Sequence, residues 1–256
     1  MRFVRYKRED GLPQWGWILG DQVGMVHGDL FTKYQRAEAT TALDSVNLLA
    51  PVIPSKIICV GRNYAAHAQE FGNELPEIPL LFFKPPSSII GPDATILHPP
   101  QSERVEHEAE LAVVISRRGR FITTDEAKDY IFGYTVANDV TARDLQRSDQ
   151  LWTRAKGFDT FCPIGPWIET EFDPADALVT CHVNGDMRQM ASTRDMAFTV
   201  RQLIAFASSI MTLEPGDLIL TGTPAGVSQV FPGDLIEVKI DGIGTLRNPV
   251  NAQPAL

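Results

Sequence analysis

Cysteine is scarce in this chain: Cys59, Cys162 and Cys181 are the only three among 256 residues. An odd number, wide spacing and apolar neighbours exclude a disulfide framework and a cysteine-based zinc site, and point to reduced core thiols. Long apolar runs are missing as well. No segment reaches the roughly 18 uninterrupted apolar residues of a membrane span, so no membrane partner is expected. Positive charge is the third shortage, with 23 Lys and Arg against 32 Asp and Glu and a net charge of −9. The nearest basic cluster, Arg117-Arg118-Gly119-Arg120, lies between a strand and a helix start, as a solvated turn does. A nucleic-acid partner is therefore excluded. The N-terminal Met1-Arg2-Phe3-Val4-Arg5-Tyr6-Lys7-Arg8 has neither an apolar h-region nor a small-residue cleavage site. A cytoplasmic protein is expected, or one of an organelle matrix if a transit peptide has been removed. Internal repeats and low-complexity segments are absent too.

What is present is an ordinary globular balance, 44% hydrophobic and 21% charged, enough for one sizeable domain with a small appendage. Short strand-like runs at 3–6, 15–19 and 22–26, broken by Asp10-Gly11 and Gly20-Asp21, predict a small antiparallel meander. A helix is predicted over 37–49. Pro51 and Pro54 then punctuate the chain, setting a boundary between a small β-rich module, 1–54, and a larger part, 55–256. Beyond it strands predominate, at 56–60, 80–83, 95–97, 106–115, 131–138, 177–183, 218–221, 235–240 and 244–246. Helices are fewer, at 64–71, 124–129, 142–151 and 199–210; Val200, Leu203, Ile204, Ala207 and Met211 give the last an apolar stripe. Many strands with few helices between them exclude a doubly wound α/β sheet and predict a β-rich α+β fold.

The stretch Val105-Glu106-His107-Glu108-Ala109-Glu110-Leu111-Ala112-Val113-Val114-Ile115 starts charged and ends apolar. On a strand, Glu106, Glu108 and Glu110 share one face and His107, Ala109, Leu111 and Val113 the other, with neighbours on a face roughly 6–7 Å apart. Three aligned carboxylates repel one another and resist desolvation, which either water or a hard divalent cation relieves. In Gly61-Arg62-Asn63-Tyr64-Ala65-Ala66-His67-Ala68-Gln69-Glu70 a strand ends and a short helix begins, with Asn63 as the expected N-cap. His67 and Glu70 share a helix face, either as a surface pair or as a general base held by a carboxylate. Asn138-Asp139 closes a strand and reads as a turn or as a further oxygen ligand. Arg143 and Gln146, three apart, fit either a solvated helix face or a substrate carboxylate. Lys84, at a strand end before Pro85-Pro86, is unusual but explicable by snorkelling, and Lys156 sits in Arg154-Ala155-Lys156-Gly157. The strand-to-loop run Thr221-Gly222-Thr223-Pro224-Ala225-Gly226-Val227 can bind an anion but lacks the Gly-Lys-Ser/Thr ending of a nucleotide cradle.

Together these segments resemble the fumarylacetoacetate hydrolase family over roughly residues 55–250. Five motifs carry the resemblance in the family's order: Gly61-Arg62-Asn63-Tyr64 with His67 and Glu70; Phe83-Lys84-Pro85; His107-Glu108-Ala109-Glu110; Asn138-Asp139-Val140-Thr141-Ala142-Arg143-Asp144; and Thr221-Gly222-Thr223-Pro224-Ala225-Gly226-Val227. The resemblance implies a mixed β-sandwich roll, commonly a homodimer. It implies Mg²⁺ or Mn²⁺, with Ca²⁺ able to replace them in a crystal, held by Glu108, Glu110 and Asp139. Glu106 matches no ligand position of the family.

By the same carry-over His67 and Glu70 form a catalytic dyad on a mobile lid, residues 69–79. Lys156 acts on developing charge, and Arg62, Lys84, Arg143, Gln146 and Thr223 line the substrate pocket. The implied partner is a small 2-oxo acid or dicarboxylate whose polarised carbonyl stabilises a pyruvate enolate. Hydrolysis of a C–C bond in an acylpyruvate or fumarylpyruvate comes first, with His67 activating water. Decarboxylation of an oxaloacetate or oxopentene-tricarboxylate type of substrate and isomerisation of 2-hydroxyhepta-2,4-diene-1,7-dioate use the same enolate. The N-terminal module resembles that of such isomerases and decarboxylases. A metal-binding protein without catalysis is the reading of a different class.

Overall fold

Strand pairing, with few and short helices, organises the computed structural model, which describes residues 1–254. A twelve-stranded sheet runs in the order Tyr34–Ala42, Gln22–Gly28, Pro13–Leu19, Arg2–Lys7, Cys162–Glu169, Ile131–Asn138, Ala109–Ile115, Leu218–Leu220, Ile57–Gly61 and Leu80–Lys84, with Asn47–Leu49 and Ile89–Ile90 attached at its side. A five-stranded sheet, Asp186–Ser192, Leu178–Val183, Leu235–Ile240, Gly244–Ala252 and Ile96–His98, packs against it. The β-rich α+β class expected from the sequence is the observed one. No helix among the described residues is long and apolar enough to cross a membrane.

The strand Ala109–Ile115 shows why the sequence there reads as an unbroken apolar run. Ala109, Leu111, Val113 and Ile115 join the core shared with the five-stranded sheet, alongside Val179, Val238 and Ile240. Ala112 and Val114 point the other way, into a second core with Ile57, Cys59, Ile164 and Leu220. Both faces are buried, so alternation survives only as a choice of core. That second core also takes Phe3, Val26, Leu30 and Val52 from the first 54 residues. Phe3 contacts Tyr34 on one side and Phe132 on the other, at ring separations of 5.5 and 5.6 Å. The meander continues the large sheet through antiparallel pairing of Arg2–Lys7 with Cys162–Glu169.

The predicted helix over 37–49 is instead the strand Tyr34–Ala42, a 3₁₀ turn at Leu43–Ser45 and the strand Asn47–Leu49. Tyr34–Ala42 pairs with Gln22–Gly28 at the sheet's edge, and only Ala39 of it is buried. Ladder hydrogen bonds override a helical preference that no apolar face supports. The segment 124–129 forms only a 3₁₀ turn, Ala127–Tyr130, and 142–151 only the short helix Arg143–Ser148, followed by Thr153–Lys156. The strand expected over 106–115 is interrupted at His107 and Glu108, where Val105–Glu106 leaves to pair with Thr141–Ala142. The helix Val200–Ile210 forms as read, opened by a capping box of Thr199 and Gln202 and burying Val200, Leu203, Ile204 and Ala207.

Because Phe3 ties the meander to the core behind the large sheet, calorimetry should show one cooperative transition for the whole chain. Phe3→Ala should lower its stability by about 3–5 kcal/mol. Two separate transitions, only the first shifted by the substitution, would contradict this shared core.

Candidate active site

Strand register builds the site. Ala109 pairs with Asn138, so the residues just outside that pair, Glu108 and Asp139, meet at the open end of two neighbouring strands. The Asp139 amide donates to the Glu108 carbonyl at 2.8 Å, and the Glu108 amide to Asn138 Oδ1 at 2.9 Å. Glu110, two residues on and on the same face, completes a buried cluster with carboxylate oxygens of Glu108 and Asp139, all within 4.8 Å of one another. The single strand face expected for Glu106, Glu108 and Glu110 is broken between Glu106 and Ala109, and Glu106 stands outside the cluster, joined to Glu108 through Arg143.

Four buried carboxylates, Glu106, Glu108, Glu110 and Asp139, meet three buried cations, Lys84, Arg143 and Lys156. Lys84 Nζ donates to Asp139 Oδ1 at 2.6 Å, and Lys156 Nζ to Glu108 Oε2 at 2.7 Å and Asp139 Oδ2 at 2.8 Å. Glu106 takes Arg143 Nε and Arg104 Nε, each at 2.6 Å. Burial alone would raise the Glu108 carboxyl, but Lys156 and Arg143 outweigh it and hold the group below the usual range. Lys156 is raised: burial works against its charge, and Asp139 and Glu108 overcome that. Glu110 makes no ion pair among the described residues. Burial and then repulsion from Asp139 and Glu108 push it well up, opposed by the nearby Lys156 and by its hydrogen bond from the Gly222 amide, 2.6 Å long. An all-oxygen donor set with one carboxylate outside any ion pair suits a hard divalent cation, so Glu108, Glu110 and Asp139 fit the group the sequence implied.

Above the carboxylates lies a cavity of about 240 Å³, whose lining includes Arg62, His67, Glu108, Glu110, Arg143, Gln146, Lys156 and Thr223. Sequence separations of up to 161 residues thus collapse into one pocket. Phe71, Phe82, Trp152 and Arg147, which sequence reasoning missed, complete much of the wall. Lys84 is not in that wall. Its ammonium is buried beneath Asp139 and also donates to the Val140 carbonyl at 3.1 Å, so it neither snorkels to the surface nor faces the pocket. Arg143 spends its guanidinium on Glu106, Glu108 and Gln146 Oε1, and lies over the Phe71 ring at 4.8 Å.

His67 projects from the helix Ala65–Glu70, with Nδ1 3.2 Å from Glu70 Oε2. Burial lowers its pKa; the nearby Glu108 and Glu70 only partly oppose that, so the imidazole is neutral at pH 7. Glu70 Oε1 accepts from the Gly226 amide at 3.1 Å, which ties the helix to the glycine-containing loop. That loop depends on its glycines. Gly226 has φ +99, and a Cβ there would fall 2.1 Å from the Arg188 carbonyl oxygen. Gly222 has φ +95, and its Cβ would meet that of Asn63 at 2.8 Å.

Asn63 is not the helix cap the sequence predicted. Tyr64 holds that position, and the Asn63 amide instead donates to Thr221 O at 2.7 Å and Phe198 O at 3.0 Å and accepts from Phe198 N at 2.8 Å. Gln189 was missed in the sequence. Its Oε1 accepts from the Ala109 amide at 3.0 Å and faces His107 Nδ1 at 2.9 Å, while Nε2 donates to Thr223 Oγ1 at 2.8 Å and Pro224 O at 2.7 Å. Asn184-Gly185, at φ +54 and +84, is the turn signal that marks its hairpin. Thr223 Oγ1 in turn donates to Ala109 O at 2.9 Å. The thiols of Cys59 and Cys162 are fully buried; burial raises both, the latter to about 12, so they stay protonated and inert.

The family model described as Fumarylacetoacetate (FAA) hydrolase C-terminal matches residues 56–251, and that described as Rv2993c-like, N-terminal, matches residues 1–51. An uncharacterized protein of Methanocaldococcus jannaschii is 53% identical over 207 residues, 81% of this chain and 87% of its own. The mitochondrial oxaloacetate tautomerase fahd2 of Xenopus laevis is 44% identical over 234 residues, covering 83% of this chain and 73% of its own. Among solved structures, 2-hydroxyhepta-2,4-diene-1,7-dioate isomerase from Mycobacterium marinum shares the fold at a TM-score of 0.92 and 42% identity, with 100% of both chains covered. The chain belongs to the fumarylacetoacetate hydrolase family.

Proposed function

We propose that this is a divalent-cation-dependent enzyme that enolises a 2-oxo acid by proton transfer, as a tautomerase or isomerase. The observation that carries this reading is a buried three-carboxylate cluster, two members of which, Glu108 and Glu110, line the same cavity as the His67 imidazole. Glu108, Glu110 and Asp139 would hold Mg²⁺ or Mn²⁺. Such a cation, when bound, supplies Lewis-acid polarisation of a 2-oxo carboxylate. The rest of the chemistry falls to the chain's own side chains. His67, anchored at Nδ1 by Glu70, takes at Nε2 a proton from the carbon beside the oxo group. Lys156, held charged, stabilises the negative charge that develops on the substrate. Arg143, Gln146 and Thr223 orient the substrate, Lys84 fixes Asp139 from behind, and Phe71, Phe82 and Trp152 exclude water.

Hydrolysis of a C–C bond in an acylpyruvate or fumarylpyruvate is the second reading, and the His67–Glu70 pair favours it. There His67 would take the proton of a water attacking the distal carbonyl, and the pyruvate part would leave as its enolate. The sequence alone ranked this reaction first. Similarity to a tautomerase and an isomerase reverses the order.

A panel of enol-oxaloacetate, a 2-hydroxydienedioate, acetylpyruvate and fumarylpyruvate, with oxaloacetate decarboxylation followed in parallel, should rank these reactions. Turnover should vanish in EDTA and return with Mg²⁺ or Mn²⁺. No turnover of any member by protein shown to bind the cation would restore the non-catalytic reading. His67→Ala should lower turnover by about 10²–10⁴-fold while leaving cation affinity unchanged. Since burial depresses the His67 pKa, the acid limb of kcat/KM should lie below pH 6.5; a limb above it would remove His67 as the base. Glu110 carries the opposite sign. Its folded pKa is raised, so it contributes stability below its unfolded pKa that is lost as pH rises through the folded value. Glu110→Gln should therefore melt higher than the cation-free parent at pH 7, yet bind Mn²⁺ more weakly in titration calorimetry.

A further inference from the structure

The cations of the cavity wall divide into two sets. Lys156 and Arg143 are engaged with Glu106, Glu108 and Asp139. Arg62 and Arg147 line the same cavity, and neither makes a side-chain hydrogen bond or ion pair among the described residues. Arg147 stands four residues after Arg143 on the helix Arg143–Ser148, so both side chains lie on one helix face. Arg62 follows the strand Ile57–Gly61 and holds φ +57, a left-handed conformation uncommon for a residue with a Cβ. Asn63, fully buried and bonded to Phe198 and Thr221, fixes the backbone immediately after it. The strained position is thus enforced by the fold, and it puts an uncommitted guanidinium in the wall.

The cavity lining consequently carries both signs of charge. It holds the carboxylates Glu108 and Glu110 and two guanidiniums without a protein partner among the described residues, with the apolar Phe82 and Trp152 beside them. A monocarboxylic 2-oxo acid chelating a cation at the carboxylates leaves those guanidiniums unmatched. We propose that Arg62 and Arg147 form a second anion-binding point that receives the far carboxylate of a 2-oxo dicarboxylate, making them the specificity determinants of the site. The proposal rests on the 2-oxo acid reading above and deepens it by naming the substrate's other end. Arg62 is partly buried and Arg147 exposed, so the preference is of moderate size and sensitive to salt.

The test is calorimetric binding to the Mg²⁺-loaded full chain at low ionic strength. Ligands pair 2-oxoglutarate with 2-oxopentanoate and 2-oxoadipate with 2-oxohexanoate, each pair sharing the chelating end and differing only in the far carboxylate. The diacid should bind about tenfold more tightly in at least one pair. Arg147→Met, an exposed helix position, should shrink that gap, and Arg62→Met with Arg147→Met should erase it, the diacid losing about tenfold more affinity than its monoacid partner. Added salt should shrink the gap as well. Equal affinity within both pairs, or equal loss of both ligands in the variants, would overturn the proposal while leaving the 2-oxo acid reading intact. Failure of all four ligands to bind would remove that reading and the proposal together.

Discussion

Like charge held in the interior is the constraint on which this structure turns. Glu106, Glu108, Glu110 and Asp139 are all buried where strands of a large sheet end. Each ionised carboxylate without a partner would be strongly disfavoured there. The chain answers with cations from distant positions: Lys84 from the strand at the edge of the sheet, Arg143 and Lys156 from two short helices. Their placement explains why such short helices persist. Arg143–Ser148 and Thr153–Lys156 are too brief to be stable alone, and ion pairs to the carboxylate cluster anchor them. One carboxylate, Glu110, is left with the Gly222 amide as its hydrogen-bond partner and no ion pair, so the salt-bridge network does not close over it.

Around that electrostatic centre the fold spends its uncharged polar groups on holding loops. Gln189 bonds at once to the strand carrying Glu110 and to the loop carrying Thr223. Asn63 joins the end of Ile57–Gly61 to Thr221 and to Phe198, at the entrance of the longest helix. His107, whose motif position invites a catalytic reading, faces away from the carboxylates and meets Gln189 and Ser228. The strand's two-residue period does not act there, because the strand is interrupted at His107 and Glu108; the hydrogen bonds to Gln189 and Ser228 fix the ring instead.

Local periodicity is nonetheless why much of the site could be read from sequence. Face-sharing of Glu108 and Glu110, the strand end at Asp139 and the helix spacing of His67 and Glu70 are local facts, legible without knowledge of the rest of the chain. What was illegible depends on partners far away. Residues 37–49 carry enough alanine and leucine for a helix, and only pairing with Gln22–Gly28 makes a strand of them. Lys84 looked like a surface lysine because Asp139, its partner, lies 55 residues on. Glu106 looked like a flanking residue because nothing local shows that Arg143 will reach it. Gln189 sat behind an Asn-Gly turn whose meaning was overlooked, and no sequence signal indicated that its amide would bridge two site segments.

Glu70 is held from two directions: Oε2 faces the His67 ring at 3.2 Å, and the Gly226 amide donates to Oε1 at 3.1 Å and, more distantly, to Oε2 at 3.4 Å. A carboxylate clamped at one oxygen cannot rotate freely at the other, so docking of the short helix on the loop and alignment of the imidazole are a single event. Were the helix Ala65–Glu70 to leave that loop, the ring would lose its fixed tautomer and the heading of its other nitrogen at the same moment. One carboxylate thus couples the seating of the short helix to the heading of the imidazole ring.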